Sequence, residues 1–443
     1  MRKLPCLWLA VAWLGWAISA CDSGGGAEDA SDGFTQDGAA DGDGDQGEDD
    51  SGVVDDDGGE VDDDSGQTED DGGQGEDGSD PQTGDGTDAA IEDGDGDEPE
   101  DDGGPADDEG QAEDEGAVIG PLAGCVEGDF FPFHGDLHAH STQSDGDDDP
   151  ETAFLWARDE AHLDIFALTD HMEQFIWPLT EWGDCKDLAD SFYAPGSFVA
   201  LCGFEFATAW FGLSGHNNVF FSADLFNQLS DISGFYDQLA ACDTCIGQFN
   251  HPGDSSGHNW NDFEFHAGAG RNLAMMEFNT DGDAWGMFFQ ALDVGWHLSP
   301  QYNTDRHGTY AGANYQRTSG FFLREATREE LYDAMLHRRT FMSHDRNSSI
   351  ALKAGSCWMG SRLSGVVTLP LTVEVQDDDA GEGFASVEFF GPSQQLIHTT
   401  DCAGANPCTA TYDYLVVGRT FVVARATQAD GDLLISAPIW AQP

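Results

Sequence analysis

Four short clusters of imidazoles and carboxylates recur in order through the middle of this 443-residue chain. They are His138-x-His140, Thr169-Asp170-His171, His251-Pro252 and Asp305-x-His307, with Glu205 and His216 between the second and third. Side chains of these types, mixed in this way, ligate Zn, Mn or Fe ions. A hydroxide held by such ions attacks ester or amide bonds at neutral pH. The clusters therefore point to a metal-dependent hydrolase and leave the bond it cleaves open.

The spacing says what must hold these groups. In a strand, residues i and i+2 point the same way, so Phe133–His140 read as a strand places Asp136, His138 and His140 on one face. Asp305 and His307 are also two apart. The apolar run 164–169 leads to Asp170 and His171, the run 197–204 leads to Glu205, and 246–250 leads to His251. Several strands ending in a potential ligand is the pattern of an α/β barrel with its site at the C-terminal strand ends.

These residues carry a family resemblance. His134-Gly135-Asp136-Leu137-His138-Ala139-His140-Ser141 with Ser144-Asp145-Gly146 resembles the first motif of the PHP (polymerase and histidinol phosphatase) domain. Ala167–His171 resembles its second motif, Asn250-His251-Pro252-Gly253 its third and Asp305-Arg306-His307 its fourth. Gly203-Phe204-Glu205 and Gly215-His216-Asn217 sit where that family keeps a bridging Glu and a further His. Gly295-Trp296, Asn303-x-Asp305-x-His307, the run from Thr327 to Met335 and Arg339-Thr340-Phe341 are similar to the branch that includes carbaryl hydrolase. The resemblance covers roughly residues 130 to 440.

The resemblance implies a distorted seven-stranded β/α barrel with two or three clustered divalent metal ions. By position, His138, His140, Glu205 and Asp305 would hold one ion. His171 and His307 would hold a second and His216 and His251 a third, each with Glu205. A further ligand often follows the first pair in that family, and Asp145, in a Gly- and Asp-rich loop, is the candidate. The candidate catalytic set is Glu205, Asp305 and His258, with His258 offered as the acid for the leaving group. Asp136 and Asp170 read as groups that orient neighbouring ligands. Glu277 reads as a strand end hydrogen-bonded near the site. His134, His266 and His344 read as ordinary residues or as lining of the cleft.

Two rival chemistries fit less well. Amidohydrolases also begin with His-x-His but bridge their metals with a carboxylated Lys at a strand end. Beyond Arg2-Lys3 this chain has only Lys186 and Lys353, and neither follows an apolar run. A serine hydrolase needs a second Gly where Gly212-Leu213-Ser214-Gly215-His216 carries His216. A non-catalytic surface binding protein with a structural metal cluster is the alternative of a different class.

The two ends of the chain speak to its compartment. Arg2 and Lys3 precede Leu7–Ala17, a run without charged or polar side chains. At 11 residues it is shorter than the ~20 a spanning helix needs, and it fits a signal peptide. Ile18-Ser19-Ala20-Cys21 resembles the bacterial lipobox, which implies lipidation at Cys21 after removal of residues 1–20, and display outside the cytoplasmic membrane. Residues 21–118 are an acidic, Gly-rich tract with about 40 of the chain's 85 Asp and Glu and no Lys or Arg. Such a tract cannot bury enough apolar surface to offset its ordering entropy and is expected to be an extended, self-repelling tether.

The remainder is expected to form a metallohydrolase barrel over 119–361 and a small antiparallel β-sandwich-like domain over 362–443. The latter rests on alternating segments such as Thr368–Val375 separated by Gly- and Asp-rich turns. The formal charge of −69 and the scarcity of basic clusters disfavour a nucleic-acid partner. Arg338-Arg339 with Arg346 is the one locally basic stretch, and a small-molecule substrate is expected instead. Beyond Cys6 and Cys21, eight cysteines remain, an even number that suggests disulfides in an exported protein. Cys242–Cys245 and Cys402–Cys408 are close enough in sequence to close small loops.

Overall fold

The computed structural model describes residues 124–443 apart from 173–179, 209–213, 254–258, 280–282, 314 and 380. All of these belong to one compact unit, Pro105–Pro443. It is a mixed α/β unit rich in strands. Cys21 and His258 lie outside the described residues. No helix among the described residues is long and apolar enough to cross a membrane.

Two sheets position the ligand clusters. In the first, β1 (Phe131–Asp136), β2 (Ile165–Leu168) and β3 (Val199–Cys202) run parallel. In the second, β4 (Phe204–Ala207), β5 (His216–Phe220) and β6 (Ile246–Phe249) pair antiparallel. β7 (Leu273–Glu277) and β8 (Ser299–Gln301) then continue that sheet in parallel. Only Gly203 separates β3 from β4. A Cβ there would lie 2.8 Å from the Val219 carbonyl oxygen, so glycine permits the abrupt change of sheet. β2 and β7 are buried at every position, as strands covered on both faces must be.

The first sheet does not stop at β1. β9 (Thr318–Leu323) lies antiparallel to β1, β10 (Thr340–Ser343) lies against β9, and β10 pairs with β19 (Leu433–Ser436) at the far end of the chain. Between β9 and β10 the helix Arg328–Leu336 starts at Thr327, whose side chain accepts from the Glu330 N–H, as the sequence Thr-x-x-Glu favours.

The C-terminal strands complete the unit. A four-stranded sheet runs β12 (Cys357–Trp358), β11 (Ser348–Ala354), β14 (Thr368–Asp377), β17 (Cys408–Leu415). Against it lie β15 (Phe384–Gly391), β16 (Gln395–Ala405), β18 (Thr420–Gln428), β20 (Ile439–Gln442) and β13 (Arg362–Ser364), joined to the large sheet through β18 and β19. In β14, Leu369, Leu371, Val373 and Val375 are buried and alternate with more exposed residues, so one face of that strand meets a core.

The expected boundary at residue 362 does not coincide with the sheets. β11 and β12 precede it and already belong to the four-stranded sheet. Phe130, Phe322 and Phe341 pack in the same cluster as Val373, Phe389 and Val422, so both regions share a core. The eight remaining cysteines form four bridges, Cys125–Cys357, Cys185–Cys202, Cys242–Cys245 and Cys402–Cys408. The basic pair also has another use. Arg338 and Arg339 are buried, and Arg338 donates to the carbonyls of Gly270, Arg271, Leu273 and His297. A guanidinium spent on backbone acceptors inside the protein is not a phosphate-binding surface.

Candidate metal centre

The parallel strands deliver their C-terminal ends to one place. β1 ends at Asp136, and the chain continues extended through His138 and His140 instead of carrying both within the strand. Neighbouring backbone holds that extension. Asp305 N–H donates to the His138 carbonyl, His140 N–H to that of Arg306 and Thr169 N–H to that of Ala139, each at 2.9 Å. His171 follows β2, His251 follows β6, Glu277 closes β7, and Asp305 and His307 follow β8. Glu205 lies within β4 and His216 opens β5, on facing antiparallel strands. His251 and Asp305 sit at positive φ, 27° and 49°, a region side-chain-bearing residues avoid unless the surroundings enforce it.

Glu205 is the hub. It is 1% exposed, and imidazoles face both of its oxygens. His216 Nδ1, His251 Nε2 and His138 Nε2 lie 3.1, 3.2 and 3.4 Å from Oε1. His171 Nδ1 and His140 Nε2 lie 3.1 and 3.4 Å from Oε2. Asn250 Nδ2 donates to Oε1 at 2.9 Å. Burial alone would raise this carboxyl, but His138, His216 and His171 bring it well below the usual carboxylate range. Asp305 behaves in the same way: burial opposes ionisation, and His138 and His140 overcome it.

The first group of side chains that could hold an ion is His138, His140, Glu205 and Asp305. The two Nε2 atoms are 3.2 Å apart and lie 3.2 and 3.1 Å from Asp305 Oδ1. His138 turns Nδ1 toward Glu277 Oε1 at 2.9 Å. With Nδ1 turned to Glu277, Nε2 is aimed at the other carboxylates. Burial disfavours the ring's charged form, but Asp305, Glu277 and Glu205 hold its pKa well above the ordinary value, so a bound cation would take the place of the Nε2 proton. Lone pairs converging on one point are what a divalent cation completes. The spacing fits: bonds of 2.0–2.1 Å in a tetrahedron put donors about 3.3 Å apart.

A second group gathers at the rim. Asp145, His171 and His307 converge, with Asp145 Oδ1 3.3 Å from His307 Nε2 and Oδ2 3.6 Å from His171 Nε2. His140 reaches it through Nδ1, 3.5 Å from Asp145 Oδ1, and stacks on His307 at 4.0 Å. The resemblance implied Glu205 beside His171 and His307, whereas the carboxylate nearest His307 Nε2 is Asp145. The loop brings it there because Asp170 accepts from Ser141 N–H, Ser141 Oγ and Ser144 Oγ at 2.7, 2.8 and 2.6 Å. Although burial opposes it, the His307 hydrogen bond and the His171 charge take the Asp145 carboxyl down to about 2. His216 and His251 both meet Glu205 Oε1; the third group of converging atoms is His171, Glu205 and His216.

Around these ligands lies a polar layer that motif spacing does not reveal. Glu277 also accepts from Gln248 Nε2, Asn303 Nδ2 and the His251 N–H at 2.9, 2.8 and 2.9 Å. Asn218 links Asn250 to the Leu137 carbonyl. Gln248 is fully buried in an otherwise apolar strand, and that misplaced polarity is the signal available in the sequence; Asn218 is equally buried but stands beside Asn217 and His216. Asp136 accepts from His138 N–H, Thr304 N–H and Thr304 Oγ1, tying the first cluster to the last, and burial pushes its carboxyl up to about 6.

Among the described residues, His134, His266 and His344 belong to none of the converging groups. They meet Phe341, Asp237 and Tyr302 respectively. A cleft of about 1120 Å³ lined by Phe131, His134, Arg346, Lys353 and Trp358 holds none of the ligands.

Residues 151–238, which include His171, Glu205 and His216, match the family described as "Protein of unknown function (DUF3604)". No curated protein matches the chain. The chain is similar to a two-domain protein containing a predicted PHP-like metal-dependent phosphoesterase from Bacteroides vulgatus. The two are 14% identical over 71% of this chain and 98% of that one, with a TM-score of 0.41. It is also similar to a lesion-specific endonuclease from Pyrococcus furiosus, 13% identical over 46% of this chain and 56% of that one, with a TM-score of 0.33. Both scores lie below 0.5, so the reading of the site rests on its own geometry.

Proposed function

We propose that this chain is a PHP-type metal-dependent hydrolase, built on a distorted seven-stranded β/α barrel. It acts on a phosphoester or on a carbamate, amide or ester bond of a small-molecule substrate. The observation that carries the reading is Glu205, whose two oxygens each face a different set of imidazoles while its side chain is shielded from water. Two or three Zn, Mn or Fe ions would suit this donor set, and Glu205 would serve more than one of them. Bound ions of this kind supply a water nucleophile at neutral pH and polarise the oxygen under attack.

The chain's own residues set the geometry. Glu277 fixes the His138 ring, Asp136 joins the His138 backbone to Thr304 beside Asp305, and Asp170 holds the loop that presents Asp145. Asp305, 24% exposed, touches the buried imidazoles and faces the rim. His258 is proposed as proton donor to the leaving group.

A purely structural cluster is closed by protein on all sides, whereas a catalytic one keeps an open position. Asp145 and His307 are 47% and 40% exposed, which favours catalysis. The acidic balance and the burial of Arg338-Arg339 favour a small substrate over nucleic acid.

Elemental analysis of the purified protein, followed by a hydrolysis screen across phosphoesters, carbamates and amides, tests the reading. Metal-dependent turnover lost to a chelator and restored by one of these ions is expected. A fully loaded protein inert to all three bond types would favour the binding-protein alternative. Lipid anchoring through Cys21 outside the cytoplasmic membrane belongs to the same proposal. Mass spectrometry of the mature N-terminus tests it, and an unmodified Cys21 in membrane-associated protein would contradict it.

A further inference from the structure

One corner of the C-terminal strands is apolar in a chain of formal charge −69. It is built from two turns, 365–367 between β13 and β14 and 416–419 between β17 and β18. Val416 N–H donates to the Val367 carbonyl at 3.0 Å, Val366 N–H donates to that of Gln442 at 3.3 Å, and Thr368 pairs with Leu415, so both turns meet at the end of β20. Val367, Leu415 and Val417 are 68, 64 and 81% exposed. Isolated exposed apolar side chains are ordinary, whereas a group of them beside polar residues marks a surface that meets a partner or a membrane. Segments 361–373, 414–429 and 433–443, which build this corner, contain no Asp or Glu, and Asp413 is the nearest acid in sequence to either turn.

The second observation is positive charge without a partner. Arg419 is exposed in the second turn, and Arg362 stands opposite Trp440 of β20. Among the described residues neither has an Asp or Glu within ion-pair distance, although the chain has 85 acidic residues against 16 basic ones. His297 packs on Trp440, and burial, then Arg362, Arg338 and Arg419, hold its imidazole well below the ordinary value, so the local field is positive. The chain also enters the described unit here, because Arg362 N–H donates to the Gly124 carbonyl at 3.0 Å.

We propose that this corner is a membrane-docking surface. Val367, Leu415 and Val417 enter the boundary between headgroups and acyl chains of an anionic bilayer, and Arg419, backed by Arg362, meets the lipid phosphates. Binding of this kind grows with the apolar area buried in the interface and with the attraction of basic side chains to anionic lipids. A bilayer accounts for both features of the corner. Free phosphate would engage the arginines alone, and a second copy of so acidic a chain would bring repulsion. The entry of the chain beside Arg362 agrees with the anchoring proposed at Cys21. That agreement alone rests on the anchoring proposal; the apolar tips and the unpaired arginines do not.

The test uses the full chain with Cys6→Ser and Cys21→Ser, so that no lipid is attached and no thiol outside the four bridges remains. Val417→Cys in that chain carries a polarity-sensitive fluorophore. Leu229→Cys, 67% exposed before the helix Ile232–Ala241, carries it as the control. Vesicles of phosphatidylcholine mixed with phosphatidylglycerol, and of phosphatidylcholine alone, are titrated in at fixed salt. The anionic vesicles are expected to brighten the Val417 label and shift it to the blue, with the Leu229 label unchanged. Arg419→Glu is expected to raise the lipid concentration needed by about tenfold. Leu415→Cys, labelled in the same way, decides if Val417→Cys does not fold. A silent Val417 label would overturn the assignment, and so would equal responses from the two positions or an equal response to the neutral vesicles. An unchanged lipid requirement in Arg419→Glu would do the same, as would a Val417 response that follows protein concentration without lipid, the sign of a second copy.

Discussion

His138 and Glu277 face each other with Nδ1 and Oε1 2.9 Å apart, and neither side chain is exposed to solvent. A carboxylate behind a ligating imidazole fixes its tautomer and its aim. Glu277→Gln keeps the size of the side chain and removes the charge. It is expected to lower metal affinity or turnover by about 10–100-fold, the usual cost of losing such a partner. Metal titration and steady-state kinetics on the same preparation check this, and unchanged affinity and rate would mean that His138 needs no such support.

Asp170 places Asp145 without touching a ligand nitrogen itself. Asp170→Ala frees Ser141 and Ser144 and is expected to mimic Asp145→Asn, with each variant losing one ion while retaining the ion of the His138 group. Elemental analysis of both variants checks this. Full metal content in Asp145→Asn would remove that residue from the ligand set.

Much of this site was legible in the sequence, for a specific reason. The candidate ligands cluster at strand ends, so His-x-His, Asp-His, His-Pro and Asp-x-His each appear as a short string. Glu277 was also readable, because it closes an apolar run. The roles of Asn218, Asn250, Gln248 and Asn303 were not, since their hydrogen-bond partners come largely from other strands: Asn218 meets Leu137, Asn250 meets Glu205, and Gln248 and Asn303 meet Glu277. The loop carrying Asp145 was visible only as polar sequence, and its aim depends on Asp170, 25 residues away. The pairing of β10 with β19, in which Phe341 stands opposite Ser436, has no local signature at all. That pairing is why a boundary drawn at 362 from strand alternation misses the shared sheet.

The shared sheet has a consequence for stability. A chain ending at Ser361 lacks β18 and β19 and exposes the Phe322–Phe341 side of a common core. It is expected to lose cooperative thermal unfolding. Circular dichroism of that shortened chain checks this, and a sharp transition near the full-length midpoint would show that the barrel stands alone.

His134 gives a pH signature separate from the metals. Burial lowers its imidazole to about 4, against opposing pulls from Asp345 and Asp378. The unfolded chain, with an ordinary value near 6.5, therefore binds a proton that the folded chain refuses, and stability falls as pH drops from about 6.5 to about 4. His134→Gln is expected to remove about 1–3 kcal/mol of that decline. Denaturant unfolding at pH 7 and pH 4.5 for wild type and variant measures the difference, and parallel declines would exclude His134 as a source.

The most direct test of the account is the metal content of Glu205→Gln measured beside that of His138→Ala. Glu205 meets five imidazoles through two oxygens, so losing its charge is expected to deplete more than one ion and reduce hydrolysis by several orders of magnitude. His138→Ala is expected to lose at least one ion, and His398→Ala, on β16, none. If Glu205→Gln retained full metal content and wild-type turnover, Glu205 would not bridge the ions, and the multinuclear reading of this site would be wrong.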